Sequence, residues 1–222
     1  MSNDDDRIKE LSRKKRELRS AIRSKLSEVT SDSNNEWSRR IATHVEKLQI
    51  WKQADTVLAF LSMPGEVTTD GIIQTAFDEG KLVGVPRMSG SAIHFHAVDS
   101  LDGPWEMHPY GVKEPLAECR IIDPTFNPEH KYLVITPGCA FDLNYGRIGY
   151  GKGYYDRFMH YCRQKAASGQ SRILYVGVCF EKQIVDRVPM GDYDCRIDGL
   201  LTENGLRLPQ SAQSLSFSSQ NI

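Results

Sequence analysis

The sequence has no excess of either charge, no closely spaced pair of cysteines and no long apolar run. Lys plus Arg total 28 and Asp plus Glu total 29, so no general positive field would attract nucleic acid or an anionic membrane. The 5 cysteines include no Cys-x-x-Cys pair, which argues against a zinc site and a disulfide framework. No secretory signal, transit peptide or membrane-length apolar run is readable. We therefore expect a cytoplasmic protein with neither nucleic acid nor membrane as a partner.

A length of 222 residues suits one sizeable α/β core. Strand-forming apolar runs alternate along the chain with segments of helical periodicity, and this alternation favours parallel strands joined by helices. We predict an α/β fold with a mostly parallel open sheet and helices on both faces, in a single three-layer domain over 1–208. The Ser/Gln-rich tail 209–222 is expected to be disordered. We expect a monomer.

A predicted helix over 7–29 has an apolar stripe on one side and a dense row of Lys and Arg on the other. Such a charge run is commonly a solvated helix face. The alternative is that part of this face leans over a bound nucleotide and clamps its distal phosphates. The sequence alone leaves both interpretations open.

The most informative stretch is 138–161, in which glycines surround two basic residues, Arg147 and Lys152. Glycine allows successive backbone N–H groups to converge on an anion, and a following helix N-terminus favours negative charge. The run matches the first part of a Walker A pattern, but Gly153 stands where a Ser or Thr would hold the metal. Asp156 is then the nearest hard oxygen ligand. The pattern predicts phosphate binding, with a flexible strand-to-helix turn as the alternative.

Carboxylates elsewhere could complete such a site. Glu66 directly follows the turn after a predicted strand over 56–61, where open α/β sheets present ligand-binding groups. Asp192, Asp194 and Asp198 form an acidic cluster, one member of which could share a Mg²⁺ with Asp156. Surface decoration for Glu66 and ordinary turn chemistry for the aspartates are the alternatives.

These residues together carry a family resemblance. Pro137-Gly138, Phe141-Asp142 and the run 146–156, GRIGYGKGYYD, closely resemble the 5-formyltetrahydrofolate cyclo-ligase family, also called 5,10-methenyltetrahydrofolate synthetase. Support comes from KRELR at 15–19, FLSM at 60–63 followed by Glu66, and VPR at 85–87. The resemblance implies ATP- and Mg²⁺-dependent cyclisation of 5-formyltetrahydrofolate to 5,10-methenyltetrahydrofolate, with release of ADP and phosphate through a phosphorylated formyl intermediate.

The resemblance also implies roles for individual residues. For ATP it implies Lys15, Arg16, Arg19, Arg147, Ile148, Gly149, Tyr150, Gly151, Lys152, Gly153, Tyr154 and Tyr155. For the folate it implies Leu61, Met63, Glu66, Tyr110 and Tyr150. Asp156 and Asp194 match the Mg²⁺ positions, and Arg147, Lys152 and Tyr155 are the expected catalytic residues.

Two other functions compete with this interpretation. A non-catalytic nucleotide- or folate-binding module would grip the same ligands without phosphoryl transfer. A sugar-phosphate isomerase or acyl-transfer enzyme on a related sheet would need an acid/base or nucleophilic carboxylate, and Glu66 alone would have to serve.

Overall fold

The computed structural model describes residues 2–109, 111–127, 129–166, 172–207 and 217. The helices are α1 Ser2–Leu26, α2 Ser31–Glu46, α3 Gln49–Gln53, α4 Asp70–Asp78 and α5 Tyr154–Ala166, with a 3₁₀ turn at Glu181–Gln183. The strands are β1 Thr56–Leu58, β2 Leu82–Ser89, β3 Ala92–Val98, β4 Trp105–Met107, β5 Lys113–Pro115, β6 Ile121–Ile122, β7 Lys131–Thr136, β8 Ala140–Asp142, β9 Arg147–Ile148, β10 Arg172–Val178, β11 Ile184–Val185, β12 Gly199–Thr202 and β13 Gly205–Arg207.

The centre of the fold is a mixed sheet with strand order β13-β12-β10-β7-β1-β2-β3-β6. Its five central strands, β12 to β2 in that order, run parallel. Strands β13, β3 and β6 are antiparallel additions at the two edges. The predicted mostly parallel α/β sheet is confirmed. Because parallel strands end at one edge, the loops after β1, β7 and β10 meet there.

Both faces of this sheet are buried, as a parallel sheet requires. Successive residues alternate between two apolar clusters, so that Val57 and Leu133 lie in one while Leu58 and Val134 lie in the other. Residues of α2, α3 and α4 cover the first face, and residues of α5 cover the second. The three-layer arrangement follows from this alternation, since each face needs its own cover.

Helix α1 begins and ends earlier than the predicted range 7–29. Asp4 and Asp5 lie in its first turn, where carboxylates offset the helix dipole. Near its C-terminus, Ile22 packs in a third apolar cluster against residues of the glycine-rich segment, including Ala140 and Ile148. The helix is therefore fixed against the loop that the sequence marks as functional.

Helix α2 begins with a side-chain cap and ends at Glu46. The Thr30 side chain accepts a hydrogen bond from the Ser33 N–H and caps α2. Leu48 adopts an extended conformation that separates α2 from α3. Strand β1 is shorter than the predicted 56–61, ending at Leu58.

Strands β4 and β5 form an antiparallel hairpin inside the proline-rich segment 100–130. The hairpin packs against β2. Among the described residues, no helix is long and apolar enough to cross a membrane. In the tail 209–222 the structure describes Phe217 alone, which is buried in the first apolar cluster.

Candidate active site

Two cavities lie at the edge of the sheet where the parallel strands end. The first has a volume of about 280 Å³ and the second about 260 Å³. Both are lined by Gly149, Gly153 and Asp156, so the glycine-rich loop is the wall between them. The first cavity is lined in addition by Phe60, Leu61, Met63, Glu66, Pro86, Met88, Ile93, Val112, Glu114, Pro137, Arg147, Tyr150, Lys152, Tyr154 and Tyr155.

The first cavity is mostly apolar, with a carboxylate from the turn after β1. Glu66 is only 9% exposed, and its Oε2 accepts the Met63 N–H at 2.8 Å. The Tyr150 hydroxyl, which lines the same cavity, lies within hydrogen-bonding reach of this carboxylate. Burial raises the pKa of Glu66, and the bonds from Tyr150 and Met63 only partly offset that rise. A buried carboxylate on an apolar wall is suited to bind N–H groups of a flat heterocycle.

The glycine-rich loop is shaped by a buried carboxylate at its start. Asp142 is 2% exposed, and its Oδ1 accepts the N–H groups of Asn144 and Gly146, each at 2.9 Å. Its Oδ2 accepts the Val188 N–H at 2.8 Å. A Cβ at position 146 would lie 2.6 Å from Asp142 Oδ2, so only glycine fits there. Asp142 thus joins the loop to the segment that leads to Asp194.

The centre of the loop uses backbone conformations that favour glycine. Gly151 and Gly153 have φ angles of +110° and +67°. From the α1 side, Arg19 Nε donates to the Gly149 carbonyl at 2.7 Å. From the other side, Arg157 Nη2 donates to the Lys152 carbonyl at 2.8 Å. The loop is therefore held at both ends of its glycine run.

Arg147 is the buried cation of the site, only 3% exposed. Its Nη2 donates to Asp156 Oδ1 at 2.8 Å, and its guanidinium carbon lies 5.9 Å from the centre of the Tyr155 ring. Arg147 Nε and the Tyr155 hydroxyl are buried and have no hydrogen-bond partner within the described part of the chain. Burial raises the pKa of Tyr155, so this hydroxyl stays protonated. These unpartnered donors await an acceptor, which a transferring phosphoryl group would supply.

The second cavity collects cations from α1 and carboxylates from two other elements. It is lined by Ser12, Lys15, Arg19, Ile148, Gly149, Gly151, Gly153, Asp156 and Asp194. Lys15 Nζ forms an ion pair with Asp194, although the two residues are 179 positions apart. Of the competing aspartates, Asp198 is directed to the Tyr175 N–H at 2.8 Å and Asp192 is exposed.

The two carboxylates in this cavity fit a Mg²⁺ ion in part. Asp156 and Asp194 each already bind a cationic side chain, Arg147 and Lys15. Within the described ranges no cluster of three or more His, Cys, Asp or Glu side chains could hold a metal. A pair of carboxylates is nonetheless the usual protein contribution to Mg²⁺, which takes its other ligands from phosphates and water.

The structure brings most of the predicted site residues together. Lys15 and Arg19 lie in the second cavity, whereas Arg16 is exposed and lines neither cavity. Lys152 is exposed at the rim of the first cavity. Tyr110 lies outside the described residues. The individual roles implied by the resemblance stay predictions.

The residue pattern gave no role to Glu114, which is 3% exposed and lines the first cavity. Its burial depends on the packing of the β4–β5 hairpin against β2, and no periodicity in the proline-rich segment announces that packing. It also gave Asp142 no role of its own, although the short Asp-x-x-x-Gly spacing from Asp142 to Gly146 is a local signal for a loop anchor.

A family model described as the 5-formyltetrahydrofolate cyclo-ligase family matches residues 11–203. The chain is 34% identical over 203 residues to the probable 5-formyltetrahydrofolate cyclo-ligase of Schizosaccharomyces pombe, covering 86% of this chain and 96% of that protein. It is 30% identical over 190 residues to the 5-formyltetrahydrofolate cyclo-ligase of Saccharomyces cerevisiae, covering 76% and 85%. The NMR structure of Aquifex aeolicus 5,10-methenyltetrahydrofolate synthetase is similar with a TM-score of 0.73 and 26% identity, covering 94% of this chain and 99% of that one. All residues that line the two cavities fall within the matched range.

Proposed function

The chain belongs to the 5-formyltetrahydrofolate cyclo-ligase family, and from this premise we propose that it uses ATP and Mg²⁺ to convert 5-formyltetrahydrofolate to 5,10-methenyltetrahydrofolate. The observation that carries the proposal is the pair of cavities with a common glycine wall. One cavity is apolar with a recognition carboxylate, and the other is polar with cations and two aspartates. The two ligands of a phosphoryl transfer would meet at that wall.

The folate belongs in the first cavity. Leu61 and Met63 offer apolar surface to the pteridine ring, and the Glu66 carboxylate accepts its N–H groups. Because the Tyr150 hydroxyl lies within reach of Glu66, it would share this carboxylate with the pteridine N–H groups. Tyr150 then remains as a wall of the cavity beside the ring.

The triphosphate belongs in the second cavity. Lys15 and Arg19 of α1 line it together with Gly149, Gly151 and Gly153 of the loop, whose backbone N–H groups would bind phosphate oxygens. The same two side chains already hold the local carboxylate and carbonyl groups, through Asp194 and the Gly149 carbonyl. A bound Mg²⁺ would be held by Asp156 and Asp194 and would neutralise phosphate charge.

The reaction requires positioning and charge stabilisation rather than a protein nucleophile. The formamide oxygen attacks the γ-phosphorus and ADP leaves. The N10 amine then attacks the formyl carbon, the C–O bond breaks with phosphate taking the electron pair, and the N10 proton is released. Arg147 Nε and the Tyr155 hydroxyl, which have no hydrogen-bond partner among the described residues, would donate to the oxygens of the transferring phosphoryl group.

The test follows methenyl-folate absorbance with the full chain, 5-formyltetrahydrofolate, ATP and Mg²⁺, while ADP release is measured in parallel. We expect equal rates for both signals and a ~100-fold or greater loss of kcat in Arg147→Ala, since one electrostatic donor to a transition state contributes on that order. If the chain binds folate but gives neither ADP release nor a methenyl signal, the proposed activity is wrong and the chain is a non-catalytic binding module. Arg39→Ala, on the exposed face of α2 and outside both cavities, is the matched control for loss of an arginine.

A further inference from the structure

The β4–β5 hairpin supplies one wall of the first cavity. Val112 and Glu114 line this cavity from the hairpin, facing the wall that the glycine-rich loop provides. Glu106 and Glu114 stand directly opposite each other on the two strands. Like charges in that arrangement repel, so a cation between them is needed to hold the hairpin in place.

Arg87 on β2 is that cation. Its Nη2 lies 2.6 Å from Glu106 Oε2, and its Nη1 donates to the Pro115 carbonyl at 2.6 Å. Glu114 Oε1 accepts the Met88 N–H at 2.8 Å. The Pro115 carbonyl, Glu106 and Glu114 thus all bind β2. These contacts fix the hairpin against β2 and hold the Glu114 side chain in place.

The second oxygen of Glu114 is less well satisfied. Its nearest recorded cation is Arg87 Nη1 at 3.9 Å from Oε2, beyond a normal hydrogen bond. The side chain is only 4% exposed, and it sits among the apolar residues Met88, Ile93 and Val112 of the cavity. This oxygen can therefore accept a hydrogen bond from a ligand in the cavity.

We propose that Glu114 is a second folate-recognition carboxylate, which accepts an N–H of the reduced pteridine ring beside Glu66, and that Arg87 positions it. The inference rests on the proposed function. Two carboxylates inside an apolar cavity attract a ring that carries several N–H donors and repel the anionic glutamate tail of the same molecule. They therefore fix the orientation of the folate, with its ring inward and its tail toward the opening.

The test compares Glu114→Gln with Glu106→Gln in the full chain. Both glutamates approach Arg87 and face each other across the hairpin, but Glu106 is half exposed and does not line the cavity. We expect Glu114→Gln to raise the Kd for 5-formyltetrahydrofolate by ~10- to 100-fold, the range for a lost hydrogen bond to a charged group, with the KM for ATP unchanged. Glu106→Gln should leave the folate Kd within about twofold. An unchanged folate Kd in Glu114→Gln overturns the inference.

A second measurement separates recognition from a purely structural role. Folate analogues that each lack one pteridine N–H are titrated into the wild-type chain and Glu114→Gln. The analogue that lacks the N–H bound by Glu114 should bind the wild type more weakly than 5-formyltetrahydrofolate does. In Glu114→Gln that bond is already lost, so the same analogue should bind nearly as well as 5-formyltetrahydrofolate. Equal losses for every analogue in both proteins would mean that Glu114 only holds the wall, and the inference fails.

Thermal unfolding of each variant checks folding, and Glu114→Asp provides a milder change if Glu114→Gln does not fold. The wild-type chain decides the proposed function separately. If it neither binds nor cyclises 5-formyltetrahydrofolate, that function fails and the inference with it. If it does both and the Glu114 variants match it, only the inference fails.

Discussion

Replacing Asp142 by Asn should loosen the glycine-rich loop and the Asp194 segment together. The substitution keeps the size of the side chain and exchanges one acceptor oxygen for an NH₂ group. Asp142 accepts three backbone N–H groups, two at Oδ1 and one at Oδ2, and is almost completely buried. In its least disruptive orientation the Asn amide keeps Oδ1 and turns its NH₂ toward the Val188 N–H, so that two donors face each other.

The size of the effect follows from these bonds. A buried donor left without an acceptor costs ~1–3 kcal/mol, and the two remaining bonds lose the contribution of the charge, ~0.5–1 kcal/mol each. Removal of a buried charge offsets part of this, so we expect the free energy of unfolding to fall by about 3 kcal/mol. For a chain of 222 residues this corresponds to a decrease in Tm of ~6–12 °C.

The assay is thermal and urea unfolding followed by circular dichroism, combined with the KM for ATP. Since Val188 begins the segment that carries Asp194, releasing it should raise the KM for ATP more than that for folate. Asp192→Asn is the matched control, because it makes the same change at an exposed aspartate two residues from Asp194. A Tm within ~2 °C of the wild type would refute the assignment of Asp142 as the anchor of the loop.

Three further changes test the site. Lys15→Ala should raise the KM for ATP by ~10-fold, as expected for a lost charged hydrogen bond. Lys14→Ala, at the exposed neighbouring position, is the control. An unchanged KM in Lys15→Ala would favour the interpretation of this side of α1 as a solvated face. Burial raises the pKa of Glu66 above its ordinary value of 4.5, so the folded chain binds this proton more tightly than the unfolded chain. The buried negative charge therefore costs more stability as the pH rises from 4.5 through the raised pKa. Glu66→Gln should therefore raise Tm near neutral pH by an amount that shrinks in acid, and a gain independent of pH would contradict this. Gly151→Ala forces a side chain into a φ of +110°, at a cost of ~1–3 kcal/mol, and should raise the KM for ATP, whereas Gly80→Ala, at +69° in a distant turn, should lower Tm without changing KM.

Local sequence features predicted the fold and the loop well. Alternating strand and helix patterns predicted the parallel sheet. A strand that is buried on both faces has consecutive apolar residues, and this local pattern can be recognised in the sequence. The density of glycine between Gly146 and Gly153 predicted a loop with backbone conformations that favour glycine, and Gly151 and Gly153 have positive φ angles; anion binding by this loop stays a prediction.

Features that depend on packing between distant segments were beyond the sequence. Residue types and spacing alone left Asp192, Asp194 and Asp198 as equals, and it is the structure that pairs Asp194 with Lys15 of α1. Glu114 reads as one charge among many in a loop-like segment. Its burial arises from the hairpin's contact with β2, which no local propensity encodes.

The wall between the two cavities has a mechanical consequence. At Gly149 an added methyl carbon would lie 2.9 Å from Arg147 Nη1, and at Gly153 it would lie 3.0 Å from Arg157 Nη1. Both contacts involve the ends of arginine side chains, so an alanine at either position would displace an arginine before it displaced the backbone. Arg147 also holds Asp156, which lines both cavities, so a methyl group added at position 149 would be felt on both sides of the wall.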